Sequence, residues 1–162
     1  MPIRPARCPH GHILPHENLI DFNHRELYLQ ICYPEDDGAV HWLIFMKCPG
    51  SDRGTRFHST GWKGHRTLSM ELDKRYDSRS VEDIHYLGKI HVSDSIIVPL
   101  EAEKIPLQSC QLWACYLMLR LERKGLLKRG TFDYYMHNYG HRRDEDYGPG
   151  RDVECAIHHH RR

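Results

Sequence analysis

Leaving tyrosine aside, the longest apolar run in this 162-residue chain is Trp42–Met46, far short of the roughly 20 residues a membrane-spanning helix requires. The first thirty residues hold five prolines or glycines, four histidines and no apolar h-region, so no secretory signal is expected. Net charge is nearly absent: 23 Lys+Arg against 22 Asp+Glu leave +1, which excludes a broadly basic nucleic-acid binder and a polyanionic tail. There is no glycine-rich phosphate loop, no serine nucleophile elbow and no internal repeat. Six cysteines without an export signal read as free thiols in a cytoplasmic or nuclear protein.

What the chain does contain suits one domain. Hydrophobic residues make up 40% and aromatics 10%, enough for a modest packed core. Histidine is in excess, at 14 residues, and histidine titrates near neutrality, binds metals and shuttles protons.

The punctuation of Pro2, Pro5, Pro9, Gly11 and Pro15 makes residues 1–24 an irregular, His/Pro-rich arm. Alternation predicts strands over 26–33, 40–47 and 55–60, the first two joined by the turn 34–38, as an antiparallel meander. Further strands are expected over 66–72 and 83–92, while 94–102 reads equally as strand or short helix. The clearest helix follows Pro106: Ser109 suits the N-cap, Leu112, Trp113, Tyr116, Leu117, Leu119 and Leu121 crowd the interior, and Gly125 stops it. Its first two turns are apolar nearly all round, so it packs on a sheet as a central helix. Residues 131–162 read as a polar tail, first aromatic and then charged. The fold class is therefore α+β, with the folded domain over 25–130.

Cys110 carries the strongest chemical signal. At a helix N-terminus the outward N–H groups and the dipole favour an anion, and a thiol so placed can have a depressed pKa. His41 and His58 fall on adjacent strands, so a nucleophile, a base and an orienting residue are available from one helix tip and two strands. The plain reading stands beside this one: cysteine is among the most buried residue types, and Cys115 reads simply as core.

His41-Trp42-Leu43-Ile44-Phe45, then Arg56-Phe57-His58, then Ser109-Cys110-Gln111-Leu112-Trp113 resemble the paired histidine strands and Cys-led helix of the circularly permuted papain-like superfamily. That group includes the lecithin:retinol acyltransferase-like enzymes and is related to the NlpC-type peptidases. The chain is also similar to fungal proteins sharing His-Trp, a Gly88-Lys89 stretch and Cys-x-x-Trp. The resemblance spans about residues 26–127. It implies a permuted papain-like fold with Cys110 as nucleophile, His41 as general base and His58 as its orienting partner. Ser109, Gln111, Trp42 and Trp113 would then form the oxyanion and pocket wall. Ser109 stands where the family usually has Asn. No hydrophobic C-terminal anchor is seen, so the expected partner is a small-molecule or peptide acyl substrate rather than a phospholipid membrane.

The reaction so implied is attack of the Cys110 thiolate on an amide, ester or thioester carbonyl, with no cofactor. A non-catalytic papain-like binding module is the alternative. A weaker one is a metal- or RNA-binding protein acting through its ends. Cys8, His10, His12 and His16 are the candidate zinc ligands, although their spacing is not that of two separated ligand pairs. Tyr134, Tyr135, Tyr139, Arg142 and Arg143 interleave aromatics with cations, but Asp144, Glu145 and Asp146 cancel the charge, so nucleic acid is not an expected partner. Trp62 joins Trp42 and Trp113 as core or pocket wall.

Overall fold

The computed structural model describes residues 19–36, 38 and 40–140. Five strands form one antiparallel sheet: β1 (His24–Cys32), β2 (Trp42–Lys47), β3 (Arg53–Thr60), β4 (Thr67–Arg75) and β5 (Val81–His91), in the order β4-β3-β2-β1-β5. Three α-helices follow among the described residues: α1 (Ile97–Glu103), α2 (Cys110–Arg123) and α3 (Thr131–Tyr135), the last running into a π-helical turn over Met136–Gly140. The architecture is mixed α+β. None of the described helices is long and apolar enough to cross a membrane.

Period-two alternation divides the strand side chains between two faces. Leu27 and Leu29 of β1, Trp42 and Ile44 of β2 and Phe57 of β3 join the main core with Leu112, Trp113, Tyr116 and Leu117 of α2. Tyr28, Cys32, Leu43 and Phe45 point to the opposite, outer face and form a second cluster with Tyr76, Val81 and Ile84. Every residue from Gln111 to Met118 is buried, so α2 is enclosed on all sides at its N-terminal half. Each fully buried Leu or Met there contributes about 1.5–3 kcal/mol.

The outer cluster is covered by the link between the two edge strands. The chain from β4 to β5 runs over the outer face, where Tyr76 joins the second cluster. Gln30 Nε2 donates to the Tyr76 carbonyl at 2.9 Å, and the Tyr33 N–H donates to the Ser80 carbonyl at 2.9 Å.

Helix α1 resolves the ambiguous stretch: Val98 and Ala102 enter the core, and Glu101, 3% exposed, binds α1 to α2. Its carboxylate meets Lys104 Nζ at 2.8 Å, Arg120 Nε at 2.6 Å and Lys124 Nζ at 3.8 Å. Burial alone would raise the Glu101 pKa, but the hydrogen bonds from Lys104 and Arg120 outweigh it and hold the group below its usual range.

Two expectations are corrected. The polar tail does not begin at residue 131: Glu122 accepts from the Gly130 N–H at 2.7 Å and the Phe132 N–H at 3.1 Å, and Tyr135 is buried. The chain is thus helical and packed on α2 through this stretch. Trp62 is neither core nor pocket wall; it is 70% exposed in the β3–β4 hairpin, between Gly61 and Gly64, both at positive φ.

Candidate active site

Cys110 opens α2. Ser109 is the N-cap, its Oγ accepting from the Leu112 N–H at 3.3 Å. Before the cap, Gln108 is held from β3 and from the residue leading into β4: its carbonyl accepts from Ser59 Oγ at 2.8 Å and from Arg66 Nη1 at 2.7 Å. These bonds fix where the helix begins relative to the sheet.

The sheet is split at this point. The β2–β3 ladder has its last pair at Ile44 and Phe57, while β3 runs on through His58, Ser59 and Thr60 paired only to β4. The Cys32 N–H donates to the His41 carbonyl at 2.9 Å, so the polar groups of residue 41 face β1. Alternation then turns the Val40 carbonyl and the Trp42 N–H toward the β3 side, into the opening. The Cys110 thiol occupies it. Its Sγ accepts from the Trp42 N–H at 3.4 Å and donates to the Val40 carbonyl at 3.7 Å. The sulfur stands where the β3 backbone would have continued the ladder.

His41 and His58 lie on the outer face, the side of Leu43 and Phe45 rather than of α2. Their rings meet edge to face, with His41 Nε2 and His58 Nδ1 2.6 Å apart. Glu71 of β4 completes the row, its Oε2 3.5 Å from His58 Nε2, an ion-pair distance longer than a full hydrogen bond. With the carboxylate on the Nε2 side, His58 keeps its proton there and presents Nδ1 as an acceptor. His41 then donates from Nε2, which leaves its Nδ1 unprotonated and basic. Among the described residues no hydrogen bond joins Sγ to either imidazole.

Both rings are neutral at pH 7. Burial, helped by the neighbouring His58, pulls the His41 pKa down to about 4. Burial also lowers His58, against the opposing pull of Glu71. The expected depression of the Cys110 pKa is corrected: burial pushes this thiol up, and the Trp42 N–H, the Arg66 charge and the Gln111 amide only partly offset it. Desolvation of the anion outweighs the helix terminus.

Gln111 Nε2 donates to the Val40 carbonyl at 3.3 Å, so its side-chain amide is committed to the strand that seats the thiol. Trp42 and Trp113 are 3% and 0% exposed. Their rings belong to the core, one of the two roles expected of them, and Trp42 meets the thiol through its backbone N–H. Cys115 is buried core. Cys8, His10, His12 and His16 lie outside the described residues, as do Arg142, Arg143 and residues 144–146.

Glu71, Arg56, Arg66 and Ser59 were not singled out from the sequence. Pairing β3 against β4 in register places Glu71 opposite Arg56, two residues from His58, and that register was the missing signal. Comparison with family models, with curated proteins and with solved structures finds no match to this chain.

Proposed function

We propose that the chain is a cysteine-dependent acyl-transfer enzyme of permuted papain-like type, acting on an amide, ester or thioester through Cys110, His41 and His58. One observation carries this reading: Sγ is seated between the Val40 carbonyl and the Trp42 N–H, the backbone groups on either side of His41, whose ring is tied to His58. A thiol and a histidine are thereby held at one break in the sheet.

The resting pair is neutral, so the proton moves as the bond forms. Sγ attacks the carbonyl carbon, the thiol proton passes to His41 Nδ1, and the carbonyl electron pair becomes an oxyanion facing the N–H groups at the start of α2. Collapse breaks the bond to the leaving group, which takes the proton from His41 and departs, leaving a Cys110 thioester. Water or an amine then attacks the thioester carbon, giving its proton to His41; collapse breaks the carbon–sulfur bond, releases the acid or amide, and the sulfur takes the proton back from His41 as the thiol. His58 and Glu71 hold His41 in the tautomer that accepts the first proton and support the imidazolium that follows.

A second reading, a non-catalytic binding module, is favoured by the thiol's own bond to Val40 and by the burial that keeps it protonated. A small thiol-reactive probe at near-neutral pH separates the two. An enzyme shows Cys110 reacting well ahead of the other cysteines, an advantage lost in His41→Ala. Equal labelling of all exposed thiols favours the binding module. Undiminished turnover of an identified substrate by Cys110→Ala would refute the enzyme reading outright.

A further inference from the structure

Strand β4 ends the sheet order β4-β3-β2-β1-β5, so the backbone groups on its free side meet no strand among the described residues. An open edge of this kind is normally blunted by proline, lysine or a bulge. From Thr67 to Leu72 this strand has none of them. The first such device is Asp73, at φ 54°, where the β3–β4 register shifts. Met70 stands opposite Phe57 on the helix side of the sheet, and alternation puts Leu68 and Leu72 on that face with it. Leu68 packs against the core, but Met70 is 37% and Leu72 75% exposed. Helix α1 lies on this face, contacts β4 and adds Ile96 and Leu100, both exposed. An unpaired edge thus runs beside an uncovered apolar strip.

The sequence of β4 is complementary to itself in one register. Paired antiparallel about a two-fold axis at Met70, Met70 meets Met70, Leu68 meets Leu72 and Ser69 meets Glu71. Apolar residues oppose apolar ones, and each carboxylate opposes a hydroxyl. An axis at Glu71 sets two carboxylates face to face, and an axis at Leu72 sets Glu71 against Asp73; like charges directly opposite destabilise a pair. An axis at Ser69 puts Leu72 opposite Arg66. Within one chain Glu71 approaches His58, Arg56 and Lys74 no closer than 3.5 Å, so its carboxylate has room to accept a hydroxyl proton.

We propose that two copies of this chain join through β4 about a two-fold axis at Met70, making one continuous antiparallel sheet of their two five-stranded ones. Ser69 of each copy then donates to Glu71 of the other, the carboxylate beside His58. The axis is normal to the sheet, so both α1 helices stay on the same face and the apolar strips meet. The pairing is independent of the chemistry at Cys110.

Sedimentation velocity of the wild-type chain, from micromolar to submillimolar concentration, tests this first. The mass is expected to rise with concentration from 19.2 kDa to twice that value. Met70→Arg sets two cations face to face, and Ser69→Glu sets a carboxylate against each Glu71. Each should weaken the dimer by about tenfold or more, with circular dichroism showing the fold retained. Under mild oxidation Met70→Cys should link residue 70 of one copy to residue 70 of the other, identified by peptide mapping. Leu72→Cys, which faces Leu68, should not link to itself. A wild-type chain that stays at 19.2 kDa throughout overturns the proposal. So does a dimer indifferent to both charge substitutions, or one that links through Leu72→Cys and not through Met70→Cys. The wild-type mass is read without any variant, so a substitution that fails to fold does not decide the outcome.

Discussion

Acidifying the protein from pH 7.5 to pH 5.0 should remove about 2 kcal/mol of folding stability through His41. In the unfolded chain this imidazole takes up its proton near pH 6.5, whereas in the folded chain burial and His58 hold the pKa at about 4. Between those values the unfolded state binds more protons, so stability is present above pH 6.5 and drains away as the pH falls toward 4. At pH 5 the unfolded binding polynomial is about 33 and the folded one about 1.1, and their ratio corresponds to about 2 kcal/mol; the full loss below pH 4 approaches about 3 kcal/mol. The protons belong to the coupled His41–His58 pair, so the transition is broader than that of a lone histidine. Urea unfolding at the two pH values, in the wild-type protein and in His41→Gln, reads the effect. Glutamine keeps a side-chain N–H for His58 Nδ1 but cannot titrate, and most carboxylates remain ionised at pH 5. His41→Gln should lose about 2 kcal/mol less than wild type over this interval. Equal losses in the two proteins would refute the claim that burial holds His41 neutral.

Three other outcomes follow from the same structure. Glu71→Gln weakens the hold on the His58 tautomer and should slow Cys110 labelling on the order of tenfold while leaving the fold intact, measured by probe kinetics alongside circular dichroism. Ser109→Ala removes the N-cap of α2 and should cost about 1 kcal/mol in urea unfolding, with Ser109→Asn close to wild type. Glu101→Gln leaves Arg120 and Lys104 beside a buried neutral amide and should destabilise the chain by about 3 kcal/mol, more than any surface charge removal on α2.

The strands and the central helix were legible because their signals are local. Alternation in β1 and β2, the Ser109 cap, the crowded interior of α2 and Gly125 at its end each speak within a few residues. The two faces of β2 were also readable, but not which of them meets the helix, since Leu43 and Phe45 on one are as apolar as Trp42 and Ile44 on the other. The fate of 94–102 was not, because what makes α1 a helix is tertiary: Val98 and Ala102 reach the core and Glu101 finds Arg120 on α2. Tyr135 likewise declares itself only once α2 offers a surface and Glu122 an acceptor pair. At the site, sequence order brought out Cys110, His41 and His58. It did not reveal that the thiol's helix and the imidazoles occupy opposite faces, nor that Glu71 and Arg56 stand beside them. Those facts depend on strand register and on where one ladder stops. The Cys110 pKa shows a competition that placement alone cannot decide: the helix terminus favours the thiolate, and burial prevails.

The sulfur that replaces a rung of the sheet also makes the protein its own reporter. Any group bonded to Sγ removes the proton now given to the Val40 carbonyl, leaving that oxygen to Gln111 Nε2. It also draws the lone pairs of the sulfur away from the Trp42 amide. Modification of Sγ therefore changes the hydrogen bonding of the backbone at the mouth of β2. In a nitrogen–proton correlation spectrum the Trp42 resonance would follow modification of Cys110 in real time, without a chromogenic ligand.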